Sequence, residues 1–226
     1  MGQPPERVAQ SADADAAREG GVTVVPVQPL TPDRWDDFAA LCAQMGANRS
    51  CWCMWWRRSG AFRGGDTART RAKSRVEEGS RPMGLLAYAD EAPVGWVAVA
   101  PREEYPRLNA GRHTAPVDAR AGVWAVPCFF VLPSWRHRGV TRALLGAAVD
   151  FAAVHGASAV EGVPGDPATA RRSTTASYTG TLPMFEAQGF HEVARRAPKG
   201  RVVVRREVVA GAIATPPMPQ DPPGDP

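Results

Sequence analysis

Residues Phe129–Leu145 read FFVLPSWRHRGVTRALL, and this stretch decides the fold. Its first four residues are aromatic and aliphatic, the composition of a buried strand. Pro133 leads out of that strand into a basic turn, Arg136-His137-Arg138-Gly139. Val140, Leu144, Ala147, Ala148 and Phe151 then recur at helical spacing, predicting a long helix over Gly139–His155 with Gly156 as its stop. A strand that feeds a helix N-terminus presents free backbone N–H groups and the positive end of the helix dipole, a ready site for a pyrophosphate. Arginines in the turn add charge-assisted bonds to phosphate.

Working outward, the strand extends back to Val123 as VWAVPCFFVL, with Pro127 in its interior. Proline removes a ladder donor, so a bulge or a local split in the sheet is expected there. Upstream, Val22–Gln28 suits an edge strand, and Thr31 caps a helix with Pro32 at its first position and Trp35, Phe38, Leu41, Cys42 and Met45 at helical spacing. Asp66–Glu78 predicts a polar helix ending at Gly79, and Met83–Tyr88 with Pro93–Ala100 a hairpin, followed by a long irregular connection. Downstream come a strand at Ala157–Val163, a short helix at Leu182–Gln188 closed by Gly189, and a hairpin of Phe190–Arg195 and Val202–Val208 turned at Pro198-Lys199-Gly200. The order β-α-α-β-β-β-α-β-α-β-β describes a mixed α/β domain built on one sheet. Residues 22–210 form that domain, residues 1–21 are expected to be a disordered leader, and the proline-rich 211–226 a disordered tail.

A chain of 226 residues with 44% apolar and 22% charged residues can bury a substantial core, which excludes disorder for its bulk. No run approaches the roughly 18 apolar residues of a membrane span, and the first thirty residues lack a signal-peptide pattern. Four cysteines, Cys42, Cys51, Cys53 and Cys128, are too few for a disulfide scaffold, so reduced thiols and a cytoplasmic location are expected. Lys73 and Lys199 are the only lysines among 27 basic residues, a bias that fits GC-rich coding and argues against reading the arginines as a nucleic-acid surface. The two ends each carry a net −2, which leaves residues 22–208 at +8, a charge that favours an anionic ligand.

The glycine turn resembles the cofactor-binding motif of the GNAT superfamily of N-acetyltransferases: Arg or Gln, two residues, Gly, one residue, then Gly or Ala. Here it reads Arg136-His137-Arg138-Gly139-Val140-Thr141, preceded by the hydrophobic-Val-x-Pro lead-in at Val131-Leu132-Pro133. A second segment, Met184-Phe185-Glu186-Ala187-Gln188-Gly189-Phe190, is similar to the family's closing helix and its Gly-Phe step into the sixth strand. The resemblance covers roughly Val22 to Val208. It implies a mixed, mostly antiparallel sheet of about seven strands with helices on both faces, splayed between strands 4 and 5.

It also implies acetyl-CoA as acyl donor. Carried onto this sequence, Phe129 and Val131 line the pantetheine, while Arg136, His137, Arg138, Gly139, Val140 and Thr141 cradle the phosphates. Pro127 is a local cause for the splay. Two residues depart from the family pattern. Thr141 stands where Gly or Ala is preferred, and Phe185 where many members have a tyrosine that protonates the departing thiolate.

Transfer to an amine needs the neutral amine, a polarised thioester carbonyl and a leaving thiolate. Glu103 and Glu104 are the candidate bases, with Glu161 as a further choice, and Tyr178 is the nearest replacement for the missing acid. Backbone amides around Phe130 and Val131 are expected to stabilise the oxyanion. Trp52, Trp55 and Trp56 fall at i, i+3 and i+4, a spacing that predicts one face of a helical turn; the resemblance implies that this region walls the acceptor pocket, and core packing is the alternative. Cys51 and Cys53 lack a second pair at metal spacing, so no metal is expected. The leading expectation is transfer of an acetyl group to the amine of a small molecule by direct attack. The alternatives are a protein or peptide acceptor and a degenerate acyl-CoA-binding module. Neither nucleic acid nor membrane is expected as a partner, and a homodimer is left open.

Overall fold

The computed structural model describes residues 25–61, 63–168, 178–196 and 201–208. The expected leader, tail and 198–200 turn lie outside the described residues. Seven strands form one sheet: β1 Val27–Pro29, β2 Gly84–Ala89, β3 Ala92–Pro101, β4 Val123–Val131, β5 Ala159–Gly162, β6 His191–Arg195 and β7 Val202–Glu207. Their spatial order is β1-β2-β3-β4-β5-β7-β6. All neighbours are antiparallel except β4 and β5. That parallel step requires a crossover, supplied by the long helix between them.

Among the described residues five α-helices accompany the sheet: α1 Trp35–Ala43, α2 Asp66–Glu78, α3 Pro106–Ala110, α4 Val140–Val154 and α5 Leu182–Glu186. Their placement follows from apolar stripes. On α4 the buried residues are Val140, Leu144, Leu145, Ala148, Val149 and Ala152, one face of a 3.6-residue period. It ends in a Schellman motif, Ala157 N–H bonding Ala152 O at 2.9 Å and Gly156 N–H bonding Ala153 O at 3.0 Å. Strand β4 is buried throughout, so both faces of the sheet centre are covered. Its odd residues Phe129 and Val131 join Leu144, Leu145 and Phe185 in one core. Its even residues Cys128 and Phe130 join Phe38, Leu41 and Trp96 on the opposite face.

The expected α2 agrees with the observed helix to the residue, and the other principal elements agree to within a few, except the first strand, expected over Val22–Gln28 and observed at Val27–Pro29, with 22–24 outside the described residues. Three differences have local causes. The N-terminal turn at Pro32–Arg34 is a 3-10 helix before α1 begins at Trp35. The irregular connection after β3 contains α3, whose five residues are too few to register as periodicity. The tryptophan segment is not helical: Trp52 and Cys53 have φ of 50° and 53°, a left-handed pair that breaks any helical face.

Candidate active site: a split sheet, a phosphate turn and an aromatic cavity

Strand β4 pairs with β5 only from Val123 opposite Ala159 to Val126 opposite Gly162. Pro127 follows, and from there to Val131 the β5 side of β4 has no strand partner among the described residues. On the other side the β3 register shifts between Ala98 and Ala100, so Val99 faces the extra residue at Val126-Pro127. The proline predicts a bulge or a split, and the strand shows both.

The antiparallel ladder fixes where the amides of β4 point. Leu132 N–H bonds Val94 O at 3.0 Å, continuing the register in which Phe130 faces Trp96 and Cys128 faces Ala98. By alternation, the amides of Phe130 and Cys128 belong to the β3 side, and those of Phe129 and Val131 open into the gap. The amides that open into the gap are therefore those of Phe129 and Val131, and the expectation placed on the Phe130 amide is corrected by the register.

The gap leads to the turn. His137 has φ of 62° and Gly139 of 82°, with Arg138 between them outside the left-handed region. Such alternation of hand curls successive N–H groups toward a common point, an anion-binding nest. The first α-helical bond of α4 is Ala143 N–H to Gly139 O at 3.0 Å, which leaves the amides of Val140, Thr141 and Arg142 without helical acceptors. A Cβ built on Gly139 would meet nothing within 4 Å, so the space above the turn is open. Arg136, His137 and Arg138 are exposed around it. Arg136 Nε donates to Val131 O at 3.3 Å, and the Arg138 guanidinium lies 5.2 Å from the Trp135 ring centroid. Thr141 is half-buried at the first turn of the helix. These donors fit a pyrophosphate.

On the α1 side of the sheet lies a cavity of about 660 Å³ that reaches β4 at Cys128 and is walled by Trp55, Trp56 and Tyr178. The Tyr178 ring stacks on Phe130 at 6.5 Å and 15°, and its hydroxyl donates to Met45 O at 3.4 Å. Cys51 and Cys53 also face this space. Burial pushes the Cys51 thiol up to about 11. A hydrogen bond with Cys128, followed by burial, holds the Cys53 thiol well above its ordinary value. Among the described residues no group of three or more His, Cys, Asp or Glu side chains is placed to hold a metal ion, and no helix is long and apolar enough to cross a membrane.

Comparison with known proteins decides what this arrangement is. Residues 49–190 match the acetyltransferase (GNAT) family, a span that includes the split, the turn and the cavity wall. The chain belongs to the GNAT acetyltransferase family. Solved GNAT structures share the fold at low identity. A GNAT-family protein from Desulfovibrio desulfuricans superposes with a TM-score of 0.51 at 16% identity, covering 82% of this chain and 100% of that one. An N-acetyltransferase from Staphylococcus aureus gives 0.52 at 9%, covering 82% and 99%. The GNAT domain of a Streptomyces lividans protein, PAT, gives 0.50 at 18%, covering 81% and 90%. No curated protein matches the chain. The protein is thus an N-acetyltransferase, with acetyl-CoA as its acyl donor.

Within this GNAT domain the expected catalytic residues are not all together. Glu104 Oε2 accepts from Arg57 Nη1 at 2.5 Å and from Arg75. Arg57 is itself buried, bonded to Met83 O and the Tyr105 hydroxyl, both at 3.0 Å. Glu103 lines a separate cavity of about 170 Å³ with Arg102 and Glu161. Glu161 is 1% exposed and held by Arg102 and by Arg205 at 2.6 Å. None of the three carboxylates lines the large cavity, whereas Tyr178 does. Of the tryptophans, Trp55 and Trp56 line it. Trp52 turns into the core, stacked on Trp35 at 5.8 Å and 16°. Sequence reasoning missed Arg107, Arg112, His113 and Arg201, which also line the cavity, from residues 107–113 and from 201. Only the +8 charge of the middle of the chain hinted at them.

Proposed function

We propose that this acetyltransferase acts on the amine of a small molecule seated between Trp55, Trp56 and Tyr178, by direct attack on the thioester. The observation that carries the reading is the cavity itself: about 660 Å³, within the size range of small-molecule sites, and opening onto β4 at Cys128, one residue from the Phe129 amide. A protein acceptor would need an extended groove for several residues of chain.

Acetyl-CoA supplies the acetyl group as a thioester, a carbonyl bound to a leaving group whose thiol titrates near 8.5 in water. The amides of Arg138 to Arg142 and the arginines of the turn hold the pyrophosphate, and the gap beside Phe129 and Val131 takes the pantetheine. The amides of Phe129 and Val131 receive the negative charge that develops on the carbonyl oxygen. Tyr178, whose bond to Met45 O is long, donates a proton to the departing sulfur. The proton lost by the amine restores the tyrosine through solvent. Cys53 is kept protonated by Cys128 and by burial, which favours direct attack over an acetyl-cysteine at that residue.

The test is mass-spectrometric detection of acetylated product from two panels at equal concentration, small primary amines and peptides with free N-termini or lysines. Turnover of small amines alone is expected. Turnover confined to peptides would overturn the reading.

A further inference from the structure

The large cavity has an unusual charge distribution. Three arginines line it, Arg107, Arg112 and Arg201, and no Asp or Glu among the described residues does. Elsewhere in the protein the buried arginines are matched: Arg57 by Glu104, Arg102 by Glu161, and Arg205 by both Asp118 and Glu161. Burying a guanidinium without an anion is costly, and the paired sites show the fold's usual answer. The cavity arginines make no ion pair with described residues.

Their remaining contacts leave donors unspent. Arg201 sits 5.5 Å from the Trp56 ring centroid, and its Nη1 is buried with no hydrogen-bond partner among the described residues. Burial pulls its pKa down. Arg107 stacks 4.1 Å over Trp55 and donates to Gly60 O, but its Nε is buried with no partner among the described residues. Arg112 Nε donates to His113 Nε2 at 2.8 Å, which leaves the two Nη groups of its guanidinium. The cavity thus combines indole faces with spare guanidinium donors and has, among the described residues, no carboxylate to welcome a polycation.

We propose that the acceptor is an amino-carboxylate: an amine that also carries a carboxylate, which Arg201 and Arg112 bind, with an apolar or aromatic body laid against Trp55 and Trp56. This rests on the small-amine reading above and names its substrate class. Guanidinium binds carboxylate in a bidentate fork, and on a half-buried arginine with no competing anion that bond is well above its worth in water. The same cations disfavour an ammonium in the cavity, so a bound acceptor loses its proton more readily. Polyamines and lysine-rich peptides bring positive charge into a site where no acid among the described residues receives it.

The experiment uses matched pairs that differ in the carboxylate: tryptophan and tryptamine, phenylalanine and phenethylamine, 4-aminobenzoate and aniline. Acetylation of each is followed by mass spectrometry, and binding of each by calorimetry, in the native protein and in Arg201→Gln and Arg201→Lys. The expected result is a kcat/KM at least tenfold higher for the acids, a ratio that collapses toward one in Arg201→Gln and partly returns in Arg201→Lys. Arg112→Gln, at an exposed position, reports on the same preference should Arg201→Gln fail to fold. Acetylation of the decarboxylated amines equally well or better would overturn the proposal while leaving small-amine transfer intact. Binding of the acids without turnover, lost in Arg201→Gln, would support the anion site and count against the transfer reading. Absence of both binding and turnover for every acid would overturn the proposal.

Discussion

A Cβ built on Gly162 would lie 2.2 Å from Cε1 of Phe185, so the aromatic ring rests directly on the backbone of β5. Gly162 is also the last β5 residue that pairs with β4. Phe185 is fully buried, with edge contacts to Phe129 at 5.9 Å and Phe190 at 5.0 Å, and so forms the floor of the split. Gly162→Ala must displace either a packed ring or a strand. It should cost about 2 kcal/mol, as core overpacking does, and weaken coenzyme A binding as the ring is pushed into the gap. Denaturant unfolding and calorimetry measure the two effects, and an unchanged unfolding midpoint would contradict this packing.

The phosphate turn makes a second prediction through two near-isosteric substitutions. Gly139 has φ of 82°, a conformation that Asn and Asp tolerate better than other side chains. Open space surrounds its Cβ position, so neither Gly139→Asn nor Gly139→Asp meets a steric clash. They differ in one charge, placed where the pyrophosphate is expected. Calorimetric titration should show coenzyme A binding at least tenfold weaker in Gly139→Asp than in Gly139→Asn. Equal affinities would remove the phosphate from this turn.

A third prediction separates architecture from catalysis. Glu104 neutralises Arg57, whose side chain is 2% exposed, and also pairs with Arg75. Glu104→Gln leaves a buried guanidinium uncompensated and should destabilise the fold by about 3 kcal/mol. Below the variant's melting temperature the pH profile of kcat/KM should keep its shape, because Glu104 does not face the large cavity. Loss of the acidic limb in a folded Glu104→Gln would return the base role to this residue.

What the sequence made legible was whatever chain-local physics governs. Pro127 announced both bulge and split because a missing N–H acts at its own position, and Gly139 with Gly156 marked the ends of α4 because each end needs a particular backbone geometry. The cavity was opaque for the opposite reason. Arg107 lies over Trp55 and bonds Gly60 O across 47 residues, and Arg201 reaches Trp56 from the far end of the chain. The tryptophan spacing misled because helical periodicity assumes right-handed backbone, which Trp52 and Cys53 do not adopt.

Alkaline pH supplies the last prediction. In an unfolded chain the Cys51 thiol ionises near 9.0, whereas burial raises it to about 11 in the folded protein. Burial raises Cys42 as well, Cys53 shifts upward through its bond to Cys128 and its burial, and Tyr105 moves from 10.0 to about 12 by burial. Between the two values the unfolded state has released the proton and the folded state has not, so added base pulls the equilibrium toward unfolding. The stabilising contribution is whole below pH 9 and is lost progressively as pH rises toward the folded value. Unfolding free energies measured under reducing conditions at pH 8, 9.5 and 11 should therefore fall steadily. Cys51→Ala, which deletes one of these groups, should lose less between the first and last points, by about 2 kcal/mol. An identical decline in the native protein and the variant would show that Cys51 ionises in the folded state as it does in the unfolded chain.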